Sequence, residues 1–199
     1  MADRSPLPPD RAALHMHRER AVPDQAPQYL RDGIIAHVGI ADAEGPVVIP
    51  MTYHYDSATP ALIYLHGAHH SRLMQAVASG ARICVTVTTT DGLVYSKTAL
   101  NHSANYRSVV AFCRAAATQP TTEQSRALLE AMIDRYWPGR AVGKDYEVIT
   151  VKHLETTSVV ALEIEAMSAK TRSGGPNGPG DDDPAVPGTA GVTELRSGC

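Results

Sequence analysis

The chain has 199 residues, a length that suits one domain with extensions. Hydrophobic residues make up 43% of it, enough for a real core, and the net charge of −3 excludes the basic footprint of a nucleic-acid-binding protein. No apolar run approaches the ~20 residues of a membrane-spanning helix. Residues 1–10 lack the apolar core of a secretory signal, and the three cysteines form no CxxC pair. We therefore expect a cytoplasmic protein with free thiols and no zinc site.

The N-terminal half begins with an arm, residues 1–23, which is rich in Pro, Arg and His and shows no sustained apolar period. A short helical piece is expected within it, around Arg11–Glu19. Asp24 then caps a predicted helix that runs to Asp32. Three strand-like segments follow at hairpin spacing, over residues 34–41, 47–55 and 61–66. Pro50 cannot donate to a ladder and so marks an edge or a bulge.

A helix is predicted over residues 71–78, where apolar positions recur at helical spacing, and Gly80 lies just past its end. Its polar start follows a strand. The first N–H groups of a helix lack partners, so this start favours an anion. Arg72 would add a charge-assisted hydrogen bond there, the alternative being a solvated surface arginine.

The clearest strand covers residues 83–90 and is followed by Asp91–Gly92, a turn of the kind that closes hairpins, and a returning strand over 93–99. The stretch 100–112 begins with polar donors and ends in a β-branched run, which predicts a strand that continues to about residue 116. Donors at the mouth of a rigid strand suit a planar, anionic ligand.

The C-terminal half contains a predicted helix over 121–136, a short strand over 146–153 and a last strand over 157–167. Seven or eight strands with two or three short helices, mostly hairpin-connected, predict an antiparallel β-barrel over residues 24–172 and argue against a doubly wound fold. From Ser173 onward Gly, Pro and Asp dominate, so residues 173–199 are predicted to form a flexible tail without a core of its own.

The histidines do not predict a metal site, because no Cys or carboxylate stands at ligand spacing from His66 or the pair His69–His70. His37 lies within an apolar strand and is interpreted as a core residue. A Ser-His-Asp triad is conceivable on paper from Ser103, His102 and Asp91, but the nucleophile elbow with G-x-S-x-G is missing from the sequence. His102 is our candidate for proton transfer.

A set of short motifs occurs in a fixed order within residues 24–172: His37–Ile40, Val48–Tyr53, Leu65–Ala68, Ser71–Leu73, Val85–Thr88, Asp91–Val94 and Asn105–Val110. The ordered set resembles the pyridoxamine 5′-phosphate oxidase-related flavin-nucleotide-binding proteins, a group similar to the nitroimidazole-resistance reductases. This resemblance implies a split β-barrel that forms a homodimer and binds FMN in a groove at the dimer interface.

The resemblance also implies which residues meet the cofactor. The strand of Pro50, Met51, Thr52 and Tyr53 would lie along the isoalloxazine ring. The phosphate and ribityl chain would face His66, Gly67, Ser71 and Arg72. The barrel of the same or the partner subunit would contribute Asn105, Tyr106, Arg107 and Ser108, and Lys170 would touch the cofactor near the end of the barrel.

Flavin chemistry needs little from the protein beyond binding, orientation and tuning of N1 and N5, which suits a sequence without an obvious catalytic dyad. We therefore expect an FMN-dependent oxidoreductase that reduces a small electrophile, such as a nitro-aromatic or a quinone, with a nicotinamide donor. The alternatives are a module that stores, carries or senses the flavin without turnover, and the same barrel with F420 or haem as its ligand. Oxidation of pyridoxamine phosphate is not expected, because the C-terminal substrate-binding motif of that enzyme is missing.

Overall fold

The computed structural model describes residues 7–8 and 10–195. Seven strands carry most of the fold, with four helices placed between or beside them. The strands are β1 Ile35–Asp42, β2 Gly45–His54, β3 Leu62–Ala68, β4 Ile83–Tyr95, β5 Ser103–Ala115, β6 Thr157–Arg172 and β7 Gly191–Glu194. The helices are α1 Ala26–Asp32, α2 Arg72–Ala78, α3 Thr122–Tyr136 and α4 Val151–Thr156, and single 3-10 turns cover Arg18–Arg20, Pro23–Gln25 and Ala99–Asn101.

The strands form one antiparallel sheet in the order β1-β2-β3-β6-β5-β4-β7, and a further pairing of β1 with β4 closes it. Six strands therefore make a barrel, and β7 is added to the C-terminal half of β4. This architecture confirms the predicted antiparallel barrel. Closing a barrel requires its strands to be staggered.

The core fills the inside of the barrel, because alternate residues of each strand point inward. In β4, Ile83, Val85 and Val87 are buried, and in β5, Val109 and Ala111 are fully buried. α1 covers one end of this core with Leu30, which is also fully buried. Tertiary packing of this kind holds helices as short as seven residues in place.

Local sequence signals account for the ends of the helices. Thr121 and Gln124 form a capping box at the start of α3, in which each side chain accepts from the other residue's backbone N–H. Ser71 caps α2 by accepting from Met74 N. Gly80 follows α2 with a φ of 75°, which is costly for any residue with a Cβ. The predicted helices over 71–78 and 121–136 are confirmed, and the one predicted to end at Asp32 is confirmed from Ala26 onward. The predicted cap at Asp24 is wrong, because Asp24 lies in the 3-10 turn before α1 and Gln25 is the N-cap, without a side-chain hydrogen bond.

The predicted hairpin at Asp91–Gly92 is wrong, because β4 runs through it as one strand of 13 residues. The register against β5 shifts between Thr90 and Gly92, so Asp91 is the extra residue of a β-bulge. A Cβ on Gly92 would lie 3.1 Å from the carbonyl oxygen of Thr193 in β7. Asp91 therefore forms a bulge and Gly92 allows the close approach of β7, where a hairpin was expected.

Three further segments differ from the expectations. The predicted strand over 146–153 is wrong, since its second half belongs to α4, which a capping box of Thr150 and His153 starts. The expected helical piece around Arg11–Glu19 is reduced to the 3-10 turn at Arg18–Arg20. The tail was expected to lack structure, yet β7 lies within it and pairs with β4 over Gly92–Tyr95. The last four residues of the tail lie outside the described range.

Among the described residues, every helix is too short or too polar to cross a lipid bilayer.

Candidate functional site

The barrel is open between β2 and β3. β2 pairs with β1 along its whole first part, from Gly45 to Thr52, but it pairs with β3 only at Tyr53 and His54. On the side that faces β3, the edge of residues 45–52 therefore has no partner strand within the described chain; we call it the free β2 edge. Unpaired backbone groups along a strand edge are ready to bind another chain or a polar ligand.

A cavity of about 330 Å³ lies next to the free β2 edge, beneath α3; we call it the α3 cavity. This volume falls at the lower end of the range for small-molecule sites. Most of its wall is apolar, and two imidazoles open onto it. Its lining residues are Thr52, His66, Leu129, Met132, Ile133, Tyr136, Trp137, Ile149, His153 and Thr157.

His66 lines this cavity and has a buried ring nitrogen without a hydrogen-bond partner in the described part of the chain. Its Nδ1 is buried, and within the described residues no partner for it is present. Burial lowers the pKa of the His66 imidazole below its usual value of 6.5, so the ring is neutral at pH 7. A neutral imidazole offers one donor and one acceptor. His66 is therefore a neutral ring at the cavity wall, and its buried Nδ1 has no partner among the described residues.

A second feature is the outer face of the barrel across β2, β1, β4, β5 and β6. Strand register aligns the outward residues into three rows, and Ala36, Val38, Val85 and Val109 between them are buried. Two rows are continuous, Val48–Gly39–Cys84–Phe112–Ala166 and Pro50–His37–Thr86–Val110–Ser168. The third is in two parts, Thr52–Ile35 and Thr88–Ser108–Lys170, because the pairing of β1 with β4 ends at Ala36 and Val87. We call these fifteen residues the outer face. His37 belongs to it and is exposed, contrary to the expectation of a core histidine.

The outer face collects part of the predicted cofactor set. Pro50, Thr52, Ser108 and Lys170 lie on it, and Tyr106 continues it one row further. The Nζ atom of Lys170 lies 6.0 Å from the centre of the Tyr106 ring, and no carboxylate pairs with it in the described part of the chain. Lys170 is thus a cation available to an anionic ligand.

Side chains alternate between the two faces of a strand, so other residues of the predicted cofactor set point away from the outer face. Tyr53 is fully buried, and its hydroxyl donates to the carbonyl oxygen of Leu30 at 2.5 Å. Burial raises the pKa of the Tyr53 phenol to about 12. Met51 packs against the core. The side chain of Asn105 bonds to Arg172 and Gly174. These three residues are held by the protein itself, so only their backbone remains for a ligand.

The two arginines of the predicted cofactor set are both ion-paired. Arg72 lies 3.1 Å from Asp42 and 2.8 Å from Glu44 at the β1–β2 turn. Arg107 contacts Asp91 at 2.8 Å and Asp32 at 3.1 Å. The hydrogen bond to Asp91 is the main reason why the pKa of Arg107 is raised. Each arginine faces two carboxylates, so a phosphate would have to displace or outweigh them.

The remaining predicted residues lie at other places. Gly67 packs close to α2, since a Cβ there would lie 3.3 Å from Met74 Cε. Ser71 is committed to its cap. His102 is exposed after the 3-10 turn Ala99–Asn101, away from the residues that line the α3 cavity. No cluster of three or more His, Cys, Asp or Glu side chains suited to a metal occurs among the described residues.

One chain does not bring the whole predicted set together. His66 pairs with Val159 of β6, and Lys170 lies eleven residues further along that strand. At about 3.3 Å per residue, His66 and Lys170 are therefore separated by about 36 Å along β6. A single flavin nucleotide in one chain does not bridge that separation.

Sequence reasoning missed several residues of the α3 cavity. Trp137, the one tryptophan of the chain, lies just after α3 and is 56% exposed. His153 was placed in a strand but belongs to α4. Arg135 and Tyr136 contact β2 across more than 80 residues of sequence. The single Trp before Pro138–Gly139 is the one feature of the sequence that could have pointed to this cavity. Contacts between residues so far apart in the chain leave no local sequence pattern.

The comparisons with known proteins agree with this architecture. The family model "Pyridoxamine 5′-phosphate oxidase" matches residues 23–171. The FAD and haem binding protein from Mycobacterium smegmatis is 28% identical, with a TM-score of 0.74, and the match covers 88% of this chain and 84% of that one. A flavocytochrome from Azotobacter vinelandii is 30% identical, with a TM-score of 0.77, over 98% and 88% of the two chains.

A more distant structure shows the fold alone. The candidate 5-nitroimidazole antibiotic resistance protein from Bacteroides thetaiotaomicron is 19% identical with a TM-score of 0.57, and the match covers 74% of this chain and 82% of that one. No curated protein matches the chain. The family model covers about three quarters of the sequence, and the motifs that it spans form the barrel, the free β2 edge and the outer face. The chain therefore belongs to the pyridoxamine 5′-phosphate oxidase family.

Proposed function

We propose that this protein is a flavin-nucleotide-binding oxidoreductase that works as a homodimer. The observation that carries the proposal is the free β2 edge beside the α3 cavity. An isoalloxazine ring has two apolar faces and a polar edge. An apolar cavity next to unpaired backbone groups suits such a ring, since one buries the faces and the other bonds the edge. The flavin and flavocytochrome relatives at 28% and 30% identity support the same ligand class.

We propose FMN as the nucleotide, with its phosphate near the cationic end of the outer face. Lys170 has no ion-pair partner in the described chain, and the Ser108 hydroxyl lies 3.4 Å from its carbonyl oxygen. A lysine attracts phosphate as a point charge, and a nearby hydroxyl adds a hydrogen bond. Arg72 is the other candidate, once its two carboxylates are displaced.

The homodimer is supported by the composition of the outer face. Its fifteen residues include no carboxylate, and only His37, Cys84 and Lys170 ionise. Val48 is 60% exposed there. Interfaces between subunits are depleted in charge at their centre, and two-fold symmetric pairing is the commonest arrangement. A second copy would also bring Lys170 of one chain near the α3 cavity of the other, which one chain does not do.

The chemistry follows from these placements. A bound flavin supplies hydride transfer between a nicotinamide donor and an electrophile such as a nitro-aromatic or a quinone. The free β2 edge orients the ring, and the apolar wall of the α3 cavity excludes water from one of its faces. Neutral His66 would donate or accept one hydrogen bond at the polar edge of the flavin ring. His102 stays our candidate proton donor, and because it lies away from the α3 cavity of its own chain, it would act on product bound to the partner subunit of the proposed dimer.

The test is the spectrum of the purified protein. We expect a yellow protein that releases FMN on denaturation and that NADH or NADPH bleaches under anaerobic conditions. Addition of a quinone or a nitro-aromatic should restore the colour. Stable colour with both donors would point to the carrier module, and F420 in the extract, identified by mass, would replace FMN as the ligand. A colourless protein that gains no colour when mixed with FMN, FAD or F420 would contradict the proposal.

A second candidate is a flavin protein that also holds haem in the α3 cavity. The supporting observation is His66, whose buried Nδ1 has no partner among the described residues, in a cavity that His153 also lines. Imidazole is a common axial ligand of haem iron, and an apolar wall suits the porphyrin. The two relatives named for haem and flavocytochrome support the same reading.

Haem would be recognised by an intense absorption band near the violet end of the spectrum in protein supplied with hemin. His66→Ala should abolish that band, and His153→Ala should abolish or shift it. His70→Ala is the matched control, because His70 is exposed and does not line the α3 cavity. A band of equal strength in all three variants would remove haem from this cavity.

A further inference from the structure

The C-terminal end of α3 grips β2 at the point where the barrel opens. The last ladder pair of β1 and β2 at this end is Ile35 with Thr52. The next pair would be Ile34 with Tyr53, but the hydroxyl of Tyr136 lies between them. It lies 2.6 Å from the Tyr53 carbonyl oxygen, 3.1 Å from the Tyr53 N–H nitrogen and 3.1 Å from the Ile34 carbonyl oxygen. The Tyr136 hydroxyl thus takes the place of the backbone pairing that Ile34 and Tyr53 would otherwise make.

Arg135 completes the grip. One of its terminal nitrogens donates to the Tyr53 carbonyl oxygen at 2.9 Å. The other reaches the carbonyl oxygens of Leu30, Arg31 and Gly33, at 3.0, 3.0 and 2.6 Å. These carbonyls end α1, where a helix has acceptors without intrahelical partners and a partial negative charge. The guanidinium also lies 4.5 Å from the centre of the Tyr53 ring.

These contacts fix Tyr53 from its β1 side. The alternation of a strand then directs the backbone groups of Thr52 and Pro50 toward the opposite side, which is the free β2 edge. β3 adds only the short pairing at Tyr53 and His54, so it does little to hold residues 45–52. The ladder with β1 holds residues 45–52 in the sheet. Arg135 and Tyr136 add to it by fixing the next residue, Tyr53, and with it the end of the free β2 edge that lies beside the α3 cavity.

We propose that Arg135 and Tyr136 are positioning residues for the flavin, which hold the free β2 edge at the distance and angle that the isoalloxazine ring requires. This inference rests on the proposed function. It assigns a role to two side chains that touch the strand and not the reacting atoms. Tyr136 also lines the α3 cavity, so its ring lies between the contacts with Tyr53 and the space proposed for the ligand.

The experiment compares Tyr136→Phe and Arg135→Lys with Asp134→Asn. Asp134 directly precedes Arg135 in α3, but it is exposed and does not line the α3 cavity. Each protein is titrated with FMN, and the visible circular dichroism of the bound flavin is recorded. A lost hydrogen bond at the positioning site should weaken FMN about three- to tenfold and change the dichroism band, whereas the control keeps both.

The outcomes separate the two claims. A wild-type protein that binds no flavin contradicts the proposed function and this inference with it. A wild type that binds FMN, together with variants of lower thermal stability but unchanged affinity and dichroism, contradicts the inference alone. If both variants fail to fold, hydrogen exchange on the wild type decides. FMN should slow exchange at the Thr52 and Tyr53 amides, and unchanged exchange there would overturn the positioning role.

Discussion

The carboxylate of Asp181 accepts a hydrogen bond of 2.7 Å from the backbone N–H of Lys97, across 84 residues of sequence. It also accepts from the Ser96 hydroxyl at 2.9 Å and from the Gly178 N–H at 2.6 Å. Ser96 is buried, so this contact satisfies a polar group that water does not reach. The segment between β6 and β7 is thereby attached to the end of β4.

We expect Asp181→Ala to lower the melting temperature and to speed proteolysis within residues 173–190, because the buried Ser96 hydroxyl and the Lys97 amide lose their shared acceptor. Asp182→Ala is the matched control, since its carboxylate is exposed one residue away. Limited proteolysis followed by mass spectrometry checks the result. Equal protease resistance in the two variants would show that β7 and the bond from Lys97 Nζ to the Asp183 carbonyl oxygen hold the segment without Asp181.

The second prediction concerns the outer face. Val48→Asp places a charge at the proposed dimer interface, where an unpaired buried charge costs about 3 kcal/mol or more, so the dimer dissociation constant should rise on the order of 100-fold. Val148→Asp is the control, because Val148 is 56% exposed and Val48 60% exposed, but Val148 lies in the loop before α4. Analytical ultracentrifugation gives the answer. A wild-type monomer that retains flavin, or a Val48→Asp dimer of wild-type affinity, would exclude this face.

The sequence was sufficient for the barrel because its signals are local. Strand alternation in β1, β3, β5 and β6, and the capping pattern at Thr121, depend on residues close together in the chain. The Asp91–Gly92 bulge depends instead on Arg107 and on β7, which are distant in the sequence. The local turn signal therefore led to a wrong prediction of a hairpin. The segment Val148–Val151 is β-branched, but it joins no sheet, and the local cap at Thr150 decided its structure.

The candidate site was only partly predictable for the same reason. Alternation along β2 and β5 allows Thr52 and Ser108 to be assigned to one face, but the ion pairs that occupy Arg72 and Arg107 arise from residues on other elements. The grip of Arg135 and Tyr136 on Tyr53 is a contact of helix with strand that no periodicity announces. The sequence alone does not distinguish a basic residue without an ion-pair partner in the described chain, such as Lys170, from an ion-paired one, such as Arg72.

The third prediction distinguishes the cations. Lys170→Ala should weaken FMN by about 10- to 100-fold, the value of a charge-assisted hydrogen bond, and should leave riboflavin binding nearly unchanged because riboflavin has no phosphate. Arg72→Ala should have a smaller effect, since Asp42 and Glu44 already neutralise Arg72. Fluorescence quenching measures the affinities of the wild type and both variants for FMN and riboflavin. A larger phosphate-dependent loss in Arg72→Ala would place the phosphate at α2.

The fourth prediction concerns pH. Desolvation lowers the pKa of His54 and His66 in the folded protein, and the charge of Arg135 lowers that of His54 further. Below pH 6.5 the unfolded chain therefore binds more protons than the folded one, so the free energy of unfolding should fall as the pH drops through that value. Above pH 6.5 both states are neutral at these residues, and this contribution to the pH dependence disappears.

Urea unfolding at pH 7.5, 6.5 and 5.5 checks the fourth prediction. The double variant His54→Gln and His66→Gln should show a shallower decrease between pH 6.5 and 5.5 than the wild type, whatever its absolute stability. The exposed His70→Gln serves as the control and should keep the wild-type slope. An equal slope in the double variant and the wild type would assign the acid sensitivity to other groups.

β7 has a consequence for how copies of this protein meet one another. It covers the edge of β4 from Gly92 to Tyr95, beyond the point where β1 has left the sheet. Without it, that edge would show unpaired N–H and C=O groups beside Leu93 and Tyr95, which are 52% and 37% exposed. Bare, partly apolar edges recruit strands from other molecules. The C-terminal strand therefore protects this edge against aggregation, and it leaves the outer face uncovered for the proposed pairing of two copies.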